Sequence, residues 1–155
     1  MIETWYKRPR GNVAYTRRVL EVMRDLAVRY TRDSALRSIA AQLAQTPDPV
    51  SSAFALCKSR IKYTPDPEGI EDIRSPYRTI VLGEGGDCDD MATAGACLLK
   101  LLGHAPALRA IAWRAPDFTH VYAIADARRA PLVFDVTAPR LGAEMKFNRK
   151  LDLQL

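Results

Sequence analysis

No apolar run in this chain approaches the ~20 residues that span a bilayer, so a transmembrane helix is excluded from the reading. Met1 to Arg8 lacks the apolar core of a secretory signal, and the expected compartment is the cytoplasm. Cysteine is scarce: Cys57, Cys88 and Cys97 are odd in number and contain no CxxC spacing. That excludes both a disulfide framework and a structural zinc site, and leaves reduced thiols. Histidine is scarcer still, with His104 and His120 alone. Any chemistry that needs an imidazole has two candidates. Internal repeats and low-complexity segments are absent.

What is present is a globular balance of 48% apolar and 26% charged residues over 155 positions, enough for one ordinary core. We read residues 1–155 as one domain with three parts: a helical segment 1–62, a core 63–137 that carries the chemistry, and a tail 138–155 too mixed to assign. The net charge is +5, with Arg8, Arg10, Arg17, Arg18, Arg24, Arg29, Arg32 and Arg37 crowded into the first 40 positions. Without interleaved aromatics or a binding motif this reads as a solvated face rather than a nucleic-acid surface.

Tyr15, Val19, Val22, Met23, Leu26 and Tyr30 recur at helical spacing and predict an amphipathic helix from a cap at Asn12 to Tyr30. A second helix is expected from a cap at Asp33 or Ser34 until Pro47, and a third from Val50 to Lys62. Three helices thus precede any expected strand. Tyr63 to Tyr77, with Pro65, Pro67, Gly69 and Pro76, reads as a long irregular connection, the kind that carries function more often than not. Alternating runs at 107–113, 119–125 and 131–137 predict an antiparallel meander.

Between them lies Gly85-Gly86-Asp87-Cys88-Asp89-Asp90-Met91-Ala92, running into an apolar helix that Gly103 ends. Two glycines permit a tight turn, which puts Cys88 at a helix start. There the helix dipole is expected to lower the thiol pKa and favour the nucleophilic thiolate. A cysteine nucleophile needs a base and the base an orienting group. His104 follows the same helix at its far end, over ~20 Å from Cys88 at 1.5 Å per residue, and is excluded as the partner. His120 and Asp135, on adjacent predicted strands, can be cross-strand or diagonal neighbours. Cys97, about 180° around the helix from Cys88, and Cys57 read as core. Asp87, Asp89 and Asp90 read first as helix caps.

Taken together, Gly86-Asp87-Cys88-Asp89-Asp90-Met91-Ala92, Leu98 to Gly103, His120-Val121-Tyr122-Ala123 and Phe134-Asp135-Val136-Thr137 resemble the transglutaminase-like superfamily, in particular its short bacterial and phage-encoded members. Ile61-Lys62-Tyr63 is similar to that family's pre-catalytic region, and the resemblance covers about half the chain, from Tyr63 to Thr137. It implies an α+β, papain-like fold in which N-terminal helices and a catalytic helix pack on a small antiparallel sheet. It also implies a Cys88, His120, Asp135 triad acting on a peptide or amide bond of a protein or peptide substrate. The Cys88 N–H would supply one oxyanion donor and Tyr63 is the candidate for the other, against a plain packing role for its ring. No cofactor is expected. Calcium at Asp87, Asp89 and Asp90 is the alternative to capping, since some family members bind calcium near this motif; three acids in four positions cannot alone supply its six to eight ligands. A small chain without added β domains argues for hydrolysis over amine-accepting cross-linking. The competing expectation is a binding or phage structural or morphogenesis module that keeps the fold without turnover, and hence a virion association if the chain is phage-encoded.

Overall fold

A computed structural model describes residues 3–6, 13–114 and 116–155. Among them three helices come early. The first, α1 (Val13–Tyr30), buries Leu20, Val22, Met23, Leu26 and Ala27 along one stripe. Asp33 caps α2 (Ser34–Leu43) by accepting the Leu36 N–H at 3.0 Å. Asp48 does the same for Ser51 at the start of α3 (Pro49–Arg60), where proline fits because the first helical N–H has no partner to lose. The expected cap Asn12 and the basic residues Arg8 and Arg10 lie outside the described residues.

Two expectations about order need correction. A strand does precede the helices: β1 (Glu3–Tyr6) pairs antiparallel with β2 (Ile70–Ile73). The 63–77 connection is therefore not irregular throughout, because a partner some 70 positions away supplies the hydrogen bonds that its prolines and charges do not suggest. A wide π-helical turn, Tyr77–Val81, follows, closed by the Leu82 N–H on the Tyr77 carbonyl at 3.0 Å.

Next comes α4 (Cys88–Leu101), ended by Gly103 at φ +88° as its sequence implied. The meander follows: β3 (Ala107–Ala112), β4 (His120–Ala125) and β5 (Leu132–Phe134). The unassigned tail supplies one more strand, β6 (Arg149–Gln154), and the antiparallel order is β5-β4-β3-β6. One sheet face, with Leu108, Ala110, Val121, Ala123 and Phe134, carries α4, and α1 and α3 pack on α4 in turn. The other face, Ile111, Tyr122 and Ile124, is covered by Phe147 from the tail. There the Arg109 guanidinium grips Asp152 and Glu144, and the Tyr122 hydroxyl donates to Glu144. Cys57 and Cys97 are fully buried, and burial pushes both thiols up to about 12. Among the described residues no helix is long and apolar enough to cross a membrane.

Candidate active site

The turn before α4 is built against a neighbouring strand of chain. Gly86 donates to the Lys62 carbonyl at 3.1 Å and accepts from the Thr64 N–H at 2.9 Å, so Tyr63 bridges Gly86 two residues before the thiol. Gly85 sits at φ +78°, and a Cβ on Gly86 would lie 2.4 Å from that of Asp90; the turn closes only without side chains at these positions. Cys88 is the first residue of α4 and partly buried. The N–H of Val121 hydrogen-bonds its sulfur. Val121 follows His120 directly, so α4 delivers the thiol to the start of β4.

His120 Nε2 lies 2.6 Å from Asp135 Oδ2. Asp135, one residue past the end of β5, has a side chain only 2% exposed. Burial disfavours its charge, but bonds from His120 and from the Thr137 hydroxyl (2.7 Å) and N–H (3.0 Å) outweigh that and hold the carboxyl below its usual range. An ionised carboxylate only accepts, so Nε2 carries the proton and Nδ1 is left as a basic nitrogen. His104 is elsewhere, at the far end of α4, with Nδ1 2.6 Å from Asp126 Oδ2.

The thiol itself departs from expectation. Burial and the charges of Asp87, Glu71 and Asp135 push Cys88 up to about 12, with the Val121 N–H opposing. The helix dipole is a local effect; here desolvation and three nearby carboxylates exceed it. These surroundings favour the neutral thiol over the thiolate at Cys88.

The acids around the turn divide. Asp90 caps the helix start by accepting the Asp87 N–H at 3.2 Å, and it takes the Arg74 N–H and guanidinium at 2.6 Å each. Asp89 is buried against Asp87 and Glu71, which together with burial raise its carboxyl far above the ordinary range. Asp87 Oδ1 and Asp89 Oδ1 are buried without a hydrogen-bond partner. Carboxylate oxygens of Asp87, Asp89 and Asp90 lie within 4.8 Å of one another. The set is all hard oxygen, the type that suits a cation such as Ca²⁺, but its unpartnered oxygens are on Asp87 and Asp89, whereas both oxygens of Asp90 are engaged.

Thr137, Glu71, Arg74 and Val121 were missed in the sequence. Only Thr137 carried a local signal, a hydroxyl two residues after an aspartate, the spacing of a side-chain-capped turn. Tyr63 is 56% exposed beside the turn.

No family model matches the chain, and no curated protein matches it. Solved structures do. A candidate cysteine protease from Cytophaga hutchinsonii is 16% identical with a TM-score of 0.54, over 82% of this chain and 52% of its own. Calcium-bound LapG from Legionella pneumophila is 22% identical over 79% of this chain and 75% of its own, with a TM-score of 0.44. This chain thus spans about half the length of the Cytophaga protein. The fold is the α+β, papain-like and transglutaminase-like arrangement of a helix on a small antiparallel sheet.

Proposed function

We propose that the protein is a cysteine hydrolase that cleaves a peptide or amide bond of a protein or peptide substrate with Cys88, His120 and Asp135. One observation carries the reading: Asp135 engages Nε2 of His120 and leaves Nδ1 as the base, while the N–H of the very next residue, Val121, holds the Cys88 sulfur. As Sγ attacks the substrate carbonyl carbon, its proton passes to Nδ1. The imidazolium, stabilised by Asp135, then protonates the departing amine as the C–N bond breaks. Water, deprotonated by Nδ1, attacks the thioester, and the carboxylic acid leaves as the thiol recovers its proton. The Cys88 N–H faces the developing oxyanion, and the Tyr63 segment, bridged to Gly86, supplies the second donor. The description of the Cytophaga structure as a candidate cysteine protease supports the same class.

The orphaned oxygens favour one addition, a divalent cation held by Asp87, Asp89 and Asp90. When bound, its charge would offset the carboxylates that keep the Cys88 thiol protonated.

Alkylation by iodoacetamide, mapped to each cysteine by mass spectrometry, tests the nucleophile. Cys88, held as a neutral thiol, is expected to react more slowly than a free thiol at neutral pH but faster than the fully buried Cys57 and Cys97, and to slow at least about tenfold further in His120→Ala. Cys88→Ala is expected to abolish hydrolysis of a peptide library. A Cys88 whose alkylation is indifferent to His120→Ala, or hydrolysis that survives Cys88→Ala, overturns the proposal.

A further inference from the structure

Asp135 can serve His120 only if one particular oxygen faces the ring, and the contacts around it say what decides that. Oδ1 is taken twice by Thr137, through its hydroxyl at 2.7 Å and its N–H at 3.0 Å. Oδ2 is thereby left to His120 Nε2 at 2.6 Å. The Thr137 hydroxyl has a single hydrogen, already donated to Oδ1; at 3.4 Å from Nε2 it flanks the ring nitrogen without competing for it. Thr137 is exposed although its partner is buried, so the pair is not explained by filling a core.

The strap that carries Thr137 is itself anchored. Lys58 of α3 sends its ammonium to the Val136 carbonyl at 3.1 Å and the Ala138 carbonyl at 2.7 Å, one on each side of Thr137. A lysine on a helix surface ordinarily keeps its charge in water. Here it ties the helical half of the molecule to Val136 and Ala138 in the segment that follows β5. The Ala138 N–H closes the strap on the Asp135 carbonyl at 2.9 Å.

We infer that Thr137, held by Lys58, is a positioning residue that fixes the Asp135 carboxylate and, through it, the imidazole tautomer that leaves Nδ1 of His120 free for Cys88. This rests on the hydrolase reading for its consequence but not for its geometry. Without the hydroxyl the carboxylate keeps only the N–H of Thr137, rotates more freely, and no longer selects one ring nitrogen.

The test uses ¹⁵N-labelled whole chain at alkaline pH, where neutral histidines report their tautomer through the two ring-nitrogen shifts. In wild type His120 is expected as the Nε2–H form, and His104, bonded through Nδ1, serves as the internal standard. Thr137→Val keeps the side-chain shape and is expected to give a mixture at His120 alone, with Cys88 alkylation by iodoacetamide about tenfold slower, the scale of one charged hydrogen bond. Thr137→Ser is expected to restore both. An unchanged His120 tautomer in Thr137→Val overturns the inference, as does failure of serine to rescue. If wild-type Cys88 alkylation is indifferent to His120→Ala, the hydrolase reading fails, and the tautomer result still decides Thr137.

Discussion

Both histidines of this chain are paired with an aspartate at the same 2.6 Å, and the two pairs sit in different surroundings. At the far end of α4, His104 presents Nδ1 to an Asp126 whose side chain is 36% exposed. The second Asp126 oxygen takes the Ala105 N–H at 3.0 Å, and Asp126 sits at φ +49°, so the contact closes a turn. At the near end, His120 presents the opposite nitrogen to an Asp135 that is 2% exposed and doubly held by Thr137. The contact distance is silent about function. What differs is burial, which makes the carboxylate charge felt, and the ring nitrogen left over, which is Nδ1 in His120 and Nε2 in His104.

The largest expected effect separates the two pairs directly. Asp135→Asn keeps the shape but offers Nε2 a donor in place of a second acceptor, favouring the wrong tautomer; hydrolysis is expected to fall by about 10³–10⁴. Asp126→Asn is expected to leave hydrolysis within about twofold, since nothing links it to Cys88. Steady-state rates on a shared peptide substrate check both, and equal losses would erase the distinction drawn between the pairs.

A second contrast sets satisfied against unsatisfied carboxylates beside the same thiol. Asp135 is held low, so its contribution to stability is full above the unfolded value of about 3.9 and lost as pH falls through the folded one. Asp89 is raised by burial and facing acids, and burial takes Asp90 to about 7 against the pull of Arg74. The folded state then binds more protons than the unfolded one between about pH 4 and 7, and stability falls as pH rises through that window. A saturating divalent cation is expected to reverse this: at 100 times its Kd, calcium would add about 2.7 kcal/mol, or roughly 5 to 11 °C in Tm for a chain of this size. Asp89→Asn is expected to flatten the pH slope and remove most of the calcium response. A Tm indifferent to calcium in wild type would mean that protons alone satisfy Asp87 and Asp89.

The parts of the site legible in the sequence are those whose signals are local. Gly85 and Gly86 before Cys88, Gly103 after α4, and the alternation around His120 and Asp135 each mark their own element. Arg74, Glu71, β1 and β6 gave no such signal, because their roles depend on partners far along the chain: Arg74 on Asp90, Glu71 on Tyr15 at 2.6 Å, and β6 on β3. The thiol expectation failed for the same reason. A helix start is visible in residues 85–92, whereas the burial that outweighs it, and the charges of Glu71 and Asp135 that add to it, come from the folded surroundings.

The smallest effect tests whether the His104 pair is only a turn closure. Asp126 is held low first by the Ala105 N–H and then by His104, but it is exposed and screened, so the pair belongs with surface contacts worth no more than about 1 kcal/mol. Asp126→Asn preserves an acceptor for Ala105 and tolerates the left-handed backbone, so Tm is expected to drop by less than about 4 °C. Asp126→Ala loses the acceptor and adds the left-handed cost, and is expected to drop further. Because the lowered carboxyl stabilises only while ionised, the gap between wild type and Asp126→Asn should close as pH falls through the folded value of Asp126. Thermal melts at matched ionic strength measure it. A gap that persists in acid, or an alanine variant no worse than asparagine, would show that neither the charge nor the φ +49° turn is what this second pair contributes.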